Sequence, residues 1–170
     1  GDLTGALRFV GGFSGDGRGV FLGGNGPVNI MQYITLATTG NTTDFGDMTT
    51  TKESTGGLSN GVRGVRIGGE NTNVLDYVTI ATTGNATDFG DLIAATQFPG
   101  GTDNSSRGIF AGGYDSGYTE RLDYVTISTT GNAADFGDMV EKRHPPYACN
   151  DLVRSVFSGG QGLSGGSGKN

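Results

Sequence analysis

Three pairs of aspartates recur along the chain, each with the same three-residue spacing. The pairs are Asp44 and Asp47, Asp88 and Asp91, and Asp135 and Asp138. Carboxylate oxygens are the ligands that Ca²⁺ takes in proteins, but a short aspartate side chain also caps turns by accepting hydrogen bonds from backbone N–H groups. Because the pairs recur in every copy of one pattern, we favour turn capping over metal binding. We predict neither a metal nor another cofactor.

Side chains suited to catalysis are scarce. His144 is the only histidine and Cys149 the only cysteine. Nucleophilic catalysis needs a base within reach of a serine or cysteine, and no such arrangement can be assigned around His144, which we predict to be a loop residue. A glycosidase needs a pair of carboxylates and is the less favoured alternative, because the aspartates are spread evenly among the copies. We therefore predict that the chain is not an enzyme.

Aromatic residues and arginines are the candidates for binding. Phe98, Tyr114 and Tyr118 lie in segments that differ between copies, and their flat apolar rings could stack on sugars. Four arginines occupy one position of the repeated pattern, namely Arg18, Arg63, Arg107 and Arg154. We predict that they form hydrogen bonds between copies or ion pairs with the recurring aspartates; anion binding is the alternative.

A repeat of about 45 residues organises these side chains. Gly-Asp followed by an apolar residue begins copies near residues 1, 46, 90 and 137, and an arginine follows each of these glycines by 17 residues. The arginine opens a short apolar stretch that ends in Gly-Gly. Later segments with the patterns Tyr-Val-Thr-Ile and Asp-Phe-Gly-Asp flank the turn signal Thr-Thr-Gly-Asn. Such segments are typical of short strands, and four per copy predict one four-stranded unit.

The composition agrees with an all-β chain. Glycine supplies 34 of the 170 residues, and each glycine inside a helix costs about 1 kcal/mol relative to alanine. No segment has the 3.6-residue apolar period of a helix. We predict an all-β fold without any helix longer than one turn.

The order of the segments resembles the Kelch repeat, in which a strand ending in Gly-Gly precedes a tyrosine strand and then an aromatic residue shortly before Met or Leu. The matching residues are Gly23-Gly24, Tyr33, Phe45 and Met48 in the first copy, Gly68-Gly69, Tyr77, Phe89 and Leu92 in the second, and Gly112-Gly113, Tyr124, Phe136 and Met139 in the third. Phenylalanine stands where the family usually has tryptophan. The resemblance implies β-propeller blades of four antiparallel strands.

The aligned aromatic residues are expected in the core of each blade. We predict that the three phenylalanines of Asp-Phe-Gly-Asp are buried at equivalent positions, and that the three aligned tyrosines are too. These residues are Phe45, Phe89 and Phe136, and Tyr33, Tyr77 and Tyr124.

Counting copies predicts an incomplete segment of a larger propeller. Residues 1–160 are expected to supply a terminal strand at Gly1–Leu3, three full blades and the first two strands of a fourth, about 15 strands in all. Residues 161–170 form a Gly/Ser-rich tail that we place in a loop between strands or at a truncated end.

Length varies between copies only in the link from Gly-Gly to the tyrosine strand. In an antiparallel four-stranded blade this link shares a face with the loop that enters the next blade, and variable loops on a rigid frame usually carry binding. We therefore predict a binding face built from both sets of loops, opposite a constant Thr-Thr-Gly-Asn face. Its candidate residues are Asn25, Asn29, Lys52, Glu70, Asn73, Phe98, Tyr114, Asp115, Tyr118 and Lys142.

The net charge of −6 and the lack of a basic run argue against a nucleic-acid partner, and no apolar run reaches the length of a membrane span. The segment from Asp76 to Leu92 is similar to repeats of marine bacteriophage proteins, cyanophage proteins above all. That likeness implies a virion protein, such as a tail fibre or appendage, that contacts other virion proteins or copies of itself and recognises a glycan or protein on a host surface. The alternatives are a cytoplasmic or extracellular Kelch-type adaptor that binds proteins and, less favoured, a propeller lectin.

Overall fold

The computed structural model describes residues 1–5, 7–24, 28–70, 72–144 and 146–162. Within these residues the chain forms 14 β-strands and no helix. The first sheet comprises β1 (Gly11–Gly15), β2 (Arg18–Leu22), β3 (Val28–Thr35) and β4 (Thr43–Lys52). The second comprises β5 (Gly56–Ser59), β6 (Arg63–Ile67), β7 (Val74–Thr79) and β8 (Thr87–Asp91). The third comprises β9 (Gly100–Asp103), β10 (Arg107–Ala111), β11 (Arg121–Thr126) and β12 (Ala134–Asp138), and the fourth comprises β13 (Tyr147–Asn150) and β14 (Ser155–Ser158).

Each four-stranded sheet is an antiparallel meander, in which every strand pairs with the next one along the chain. The predicted all-β class and the predicted four-stranded antiparallel sheets are confirmed. The predicted terminal strand is wrong, because Gly1–Leu3 is irregular. Asp2 instead binds the turn of the first sheet: its N–H donates to Asn41 Oδ1 (2.9 Å), and its carbonyl accepts from the N–H of Thr42 (3.0 Å).

Two strands of the first sheet extend into segments that we had predicted as loops. β3 already begins at Val28, so that Asn29 is a strand residue, and β4 runs on to Lys52. Val28 and Lys52 are partners in this extension, which follows a shift in the register. The longer pairing satisfies backbone groups that would otherwise need other partners.

Apolar side chains form two core clusters, each between successive sheets. Val20, Leu22 and Phe45 of the first sheet pack with Val78 and Ile80 of the second. The other cluster joins the second sheet to the third and consists of Leu58, Val65, Ile67, Leu75, Phe89, Leu92, Phe110, Val125 and Ile127. The first three sheets are therefore stacked face to face, and the second sheet contributes to both clusters.

The Asp-Phe-Gly-Asp segment forms a bulge in every four-stranded sheet. In the second sheet Leu75 pairs with Gly90 and Asp76 pairs with Asp88, so Phe89 is the extra residue. A bulge bends the strand and redirects a side chain, and here it directs Phe89 into the core, where the ring is 2% exposed. The ring meets Tyr77 edge to face at 6.0 Å between centroids.

The prediction of equal burial is wrong for Phe136. Phe45 and Phe89 are 1% and 2% exposed, whereas Phe136 is 47% exposed. The cause is the fourth sheet, which has only two strands within the described residues and leaves the outer strand of the third sheet uncovered. The aligned tyrosines are half-buried; they are Tyr33, Tyr77 and Tyr124.

The aligned arginines bridge successive sheets through backbone carbonyls. Arg18 Nη1 donates to the carbonyl of Ile80 (2.8 Å), and Arg63 Nη1 donates to that of Ile127 (3.1 Å). The guanidinium groups also lie over the aligned tyrosine rings, at 4.6 Å for Arg18 and 4.3 Å for Arg63 and Arg107. Among the described residues, the ion pairs expected between these arginines and the recurring aspartates are not formed.

The Thr-Thr-Gly-Asn turn fastens each sheet to the outer strand of the sheet before it. The N–H groups of Gly84 and Ala86 donate to the carbonyls of Phe45 and Asp47, both at 2.7 Å. In return, the N–H of Asp47 donates to Asn85 Oδ1 (3.0 Å). The constant face of the repeat is therefore a joint between sheets.

Candidate ligand-binding site

A cavity of about 570 Å³ lies where the first strands of all four sheets begin. β1 lies beside β5, β5 beside β9, and β9 beside β13. Glycines at the start of the first three strands allow neighbouring segments to approach closely. A Cβ atom on Gly11, Gly56 or Gly100 would lie only 2.6–2.9 Å from a backbone carbonyl oxygen of the next copy. Its lining consists of Phe9, Val10, Gly11, Gly12, Thr55, Gly56, Gly57, Phe98, Pro99, Gly100, Gly101, His144, Pro146, Tyr147 and Ala148.

Strained backbone surrounds the mouth of this cavity. Phe9, Ser54 and Phe98 precede the first strands at one repeat position, and all three adopt positive φ angles of 59°, 62° and 52°. The N–H of Ser54 donates to the carbonyl of Phe9 (3.2 Å), and the N–H of Phe98 donates to that of Ser54 (2.9 Å). Each such conformation costs about 1–3 kcal/mol and persists only where its surroundings fix it, as they do at binding sites.

Five packed rings are called here the aromatic rim. Phe9, Phe98 and His144 line the cavity, and Tyr114 and Tyr118 pack on His144. Phe98 meets Phe9 at 5.4 Å and His144 at 5.0 Å, both edge to face. Tyr118 stacks on His144 at 5.3 Å, and Tyr114 meets both Tyr118 and His144 at about 6 Å. The rim therefore joins entering loops of three sheets to the variable loop of the third sheet.

His144 is the polar member of the rim. Its backbone forms a two-way bridge with Gln161, whose side chain accepts a hydrogen bond from the hydroxyl of Tyr118 (3.0 Å). Burial among the rings lowers the pKa of His144 below its ordinary value of 6.5. Nδ1 is buried, and no described residue bonds to it. The imidazole is therefore held in the neutral form at neutral pH.

The structure brings three of the predicted binding residues together and separates the others. Phe98, Tyr114 and Tyr118 meet in the aromatic rim, where Tyr114 and Gln97 exchange backbone hydrogen bonds of 2.9 and 3.0 Å. Asp115 forms an ion pair with Arg121 (3.5 Å).

The remaining predicted residues that the structure describes take no part in the ring contacts of the rim. The N–H of Glu70 donates to the carbonyl of Glu53, and the carbonyl of Asn73 accepts from Leu92. Asn29 and Lys52 are strand residues, and Lys142 is exposed. Asn25 lies outside the described residues.

Phe9 and His144 were missed as rim residues by sequence reasoning. A signal for Phe9 exists, because Phe9, Ser54 and Phe98 stand two residues before the first strand of their copies. His144 was weighed only as a catalytic group, and its packing against aromatic rings has no signature in the sequence.

A row of buried polar side chains lies outside the cavity, one in each four-stranded sheet. Gln32, Asp76 and Asp123 each precede an aligned tyrosine and are 1–3% exposed. Arg66 pairs with Asp76 at 2.6 Å, and Arg121 pairs with Asp123 at 2.9 Å. Desolvation nevertheless raises the pKa of Asp123, against the opposing effect of Arg121.

Comparison with protein-family models finds no match for this chain, and comparison with curated proteins finds none either. Within the described residues, no group of three or more His, Cys, Asp or Glu side chains is placed to hold a metal ion. No helix in that part of the chain is long and apolar enough to cross a membrane.

Proposed function

We propose that this chain is a non-enzymatic binding module and that its sheets are successive blades of a Kelch-like β-propeller. Two observations support the arrangement. The first strands of successive sheets are neighbours around one cavity, and the sheets stack face to face through shared core clusters. Propellers combine these features, because their blades pack radially around a central channel.

The proposed ligand is a carbohydrate on a host surface, bound at the aromatic rim. The observation that carries this proposal is the cavity of about 570 Å³, which is lined by the rings of Phe9, Phe98 and His144, with two tyrosine rings packed on His144. Small-molecule sites are commonly concave, of about 300–1,000 Å³, and lined by aromatic groups with a few polar ones. Tyr114 is 41% exposed and presents its ring to solvent. Recognition of this kind suits a virion appendage of a bacteriophage, as the repeat pattern implies.

Tyr114→Ala is the sharpest test of this proposal. We expect the substitution to weaken binding to purified host-surface glycans at least tenfold, because it removes a stacking ring of the rim that is 41% exposed. The cost in stability should be about 1 kcal/mol or less, as for most exposed positions. Affinity is measured on an array of immobilised glycans, and folding by the midpoint of urea unfolding.

Val62→Ala is the matched control. Val62 is 65% exposed and lies in the hairpin turn between β5 and β6, at the end of the second sheet away from the aromatic rim. Its replacement should leave glycan binding unchanged. Equal losses in both variants, or no loss in Tyr114→Ala, would contradict a site at the rim. The segment 82–85 is unsuited to this control, since it fastens the second sheet to the first.

A further inference from the structure

The lining of the cavity carries no acidic or basic side chain other than His144 within the described residues. Its remaining polar side chains are the hydroxyls of Thr55 and Tyr147. The guanidinium of Arg8 lies over the ring of Phe9 at 5.2 Å, but this arginine is exposed and is not part of the lining. A charged ligand would therefore lose its water in the cavity without gaining a counter-charge, which is unfavourable.

Two polar atoms of the lining residues have no hydrogen-bond partner. They are Oγ1 of Thr55 and Nδ1 of His144, and among the described residues no other buried side-chain nitrogen or oxygen is in this state. Both residues line the cavity, and Thr55 is only 7% exposed. A polar group that leaves water without finding a partner destabilises the folded state, and such groups are few in native proteins. Their coincidence at one cavity points to a partner that binds there.

Thr55 also departs from the pattern of its repeat position. The residue directly before the first strand of each sheet is Val10, Thr55, Pro99 and Pro146 in turn, and all four line the cavity. Only the second copy places a hydroxyl there. The first copy has valine, which has the shape of threonine without the polar atom, so the fold itself requires no polar group at this position.

We propose that the cavity selects an uncharged sugar and that Thr55 Oγ1 and His144 Nδ1 form hydrogen bonds with its hydroxyl groups. A sugar hydroxyl both donates and accepts, so it pairs with a threonine hydroxyl and with either tautomer of a neutral imidazole. Both protein atoms are shielded from water, and the bound sugar reaches them through small side-chain rotations, such as that of Thr55 about χ1.

The walls of the cavity complete this site. Phe9 and Phe98 offer apolar ring surface, and small-ligand sites commonly combine such walls with a few polar groups that fix the orientation of the ligand. This inference rests on the proposed carbohydrate-binding function, and it adds the class of sugar and the residues that recognise it.

Thr55→Val tests the hydroxyl, because valine keeps the shape of the side chain and removes its polar atom. We expect the variant to bind neutral glycans on the array at least fivefold more weakly. We also expect it to unfold at a higher urea concentration than the parent, since it no longer buries an unpaired hydroxyl. A merely structural hydroxyl would not change affinity and stability in opposite directions. Thr55→Ser keeps the hydroxyl and should bind as the parent does.

The charge of the sugar is the second arm of the test. Glycans that end in a neutral hexose should bind the parent at least tenfold more tightly than the same glycans with a terminal uronic acid in its place. Equal or reversed preference overturns the proposal, as does equal affinity of Thr55→Val and the parent. A lower urea midpoint for Thr55→Val also overturns it, because the hydroxyl would then already be paired without a ligand.

These failures are distinct from a failure of the carbohydrate site itself. If Tyr114→Ala loses glycan binding and Thr55→Val does not, the site at the rim stands and the role of Thr55 is wrong. If the parent binds no glycan on the array, both proposals are overturned.

Discussion

At the scale of single residues, the buried ion pair between Arg66 and Asp76 is costly to disturb. The two side chains are 2% and 1% exposed. Asp76 also accepts hydrogen bonds from both the N–H and the hydroxyl of Thr49 in the first sheet. Arg66 also donates to the carbonyl of Gly68 (2.5 Å). The pair therefore links two sheets and satisfies polar groups that water cannot reach.

Asp76→Ala should destabilise the fold by about 3–5 kcal/mol, because it leaves the Arg66 guanidinium buried without its counter-charge. Urea unfolding measures the change. Glu141→Ala is the comparison: it breaks the Arg143–Glu141 ion pair, in which Glu141 is 62% exposed, and exposed pairs contribute about 0–1 kcal/mol. Similar losses in both variants would show that the buried pair has no special role.

The first and third sheets also bury a polar side chain at the position of Asp76, and different residues supply its hydrogen bonds. Gln32 takes the place of Asp76 and accepts hydrogen bonds from the N–H of Thr4 and the hydroxyl of Thr42. In the third sheet Phe110 stands where the second sheet has Arg66. The arginine that pairs with Asp123 is instead Arg121, which lies on β11 itself. A buried polar side chain thus recurs at one position of all three sheets, while its hydrogen-bonding partners differ.

At the scale of elements, the repeated turn between the third and fourth strands defines the spacing of the sheets. The turn can approach the preceding sheet only because a glycine stands in the bulge. Gly46, Gly90 and Gly137 share nearly one backbone conformation, but only the first two face a turn. The chain therefore contains its own control for the contribution of the turn.

Gly90→Ala should cost more stability than Gly137→Ala. Both substitutions place a side chain at a positive φ, at about 1–3 kcal/mol. Only the first also drives a Cβ atom against the carbonyl of Gly131, and such overpacking typically costs a further 1–3 kcal/mol. The difference between the two free energies of unfolding isolates the turn contact. Equal values would mean that the turn adapts without loss.

At the scale of the whole molecule, the sequence predicts the repeated architecture well and its ends poorly. Strand composition and turn signals are local, so the four strands of each copy could be recognised from Arg63, Tyr77 and their equivalents. Burial depends on neighbours: Phe136 shares its motif with Phe89, but within the described residues only a two-stranded sheet follows it and the ring stays 47% exposed. Gly1–Leu3 carries the same Gly-Asp motif but pairs with no described strand, and Asp2 bonds instead to Asn41 and Thr42.

The candidate site could be predicted only in part, for a related reason. Of the predicted binding residues that the structure describes, Phe98, Tyr114 and Tyr118 lie together, each in contact with His144. Phe9 and Phe98 are 89 residues apart in the chain and meet because the first strands converge on one cavity. Contacts of this kind follow from the arrangement of sheets, which no local pattern specifies.

The last prediction concerns how the stability of the whole molecule depends on pH. The rim joins the first, third and fourth sheets around His144, whose pKa is lowered by burial. The unfolded chain, with an ordinary histidine pKa near 6.5, therefore binds a proton before the folded chain does. The free energy of unfolding should be insensitive to this group above about pH 6.5, fall as the pH decreases below it, and level off below the lowered pKa.

His144→Phe keeps the ring packing and should remove this fall, measured as the difference between variant and parent in urea unfolding from pH 7.5 to 5. Tyr118→Phe, which loses the bond to Gln161 but leaves His144 in place, should shift stability equally at every pH. A parallel curve for His144→Phe would show that the imidazole is not kept neutral by its burial in the rim.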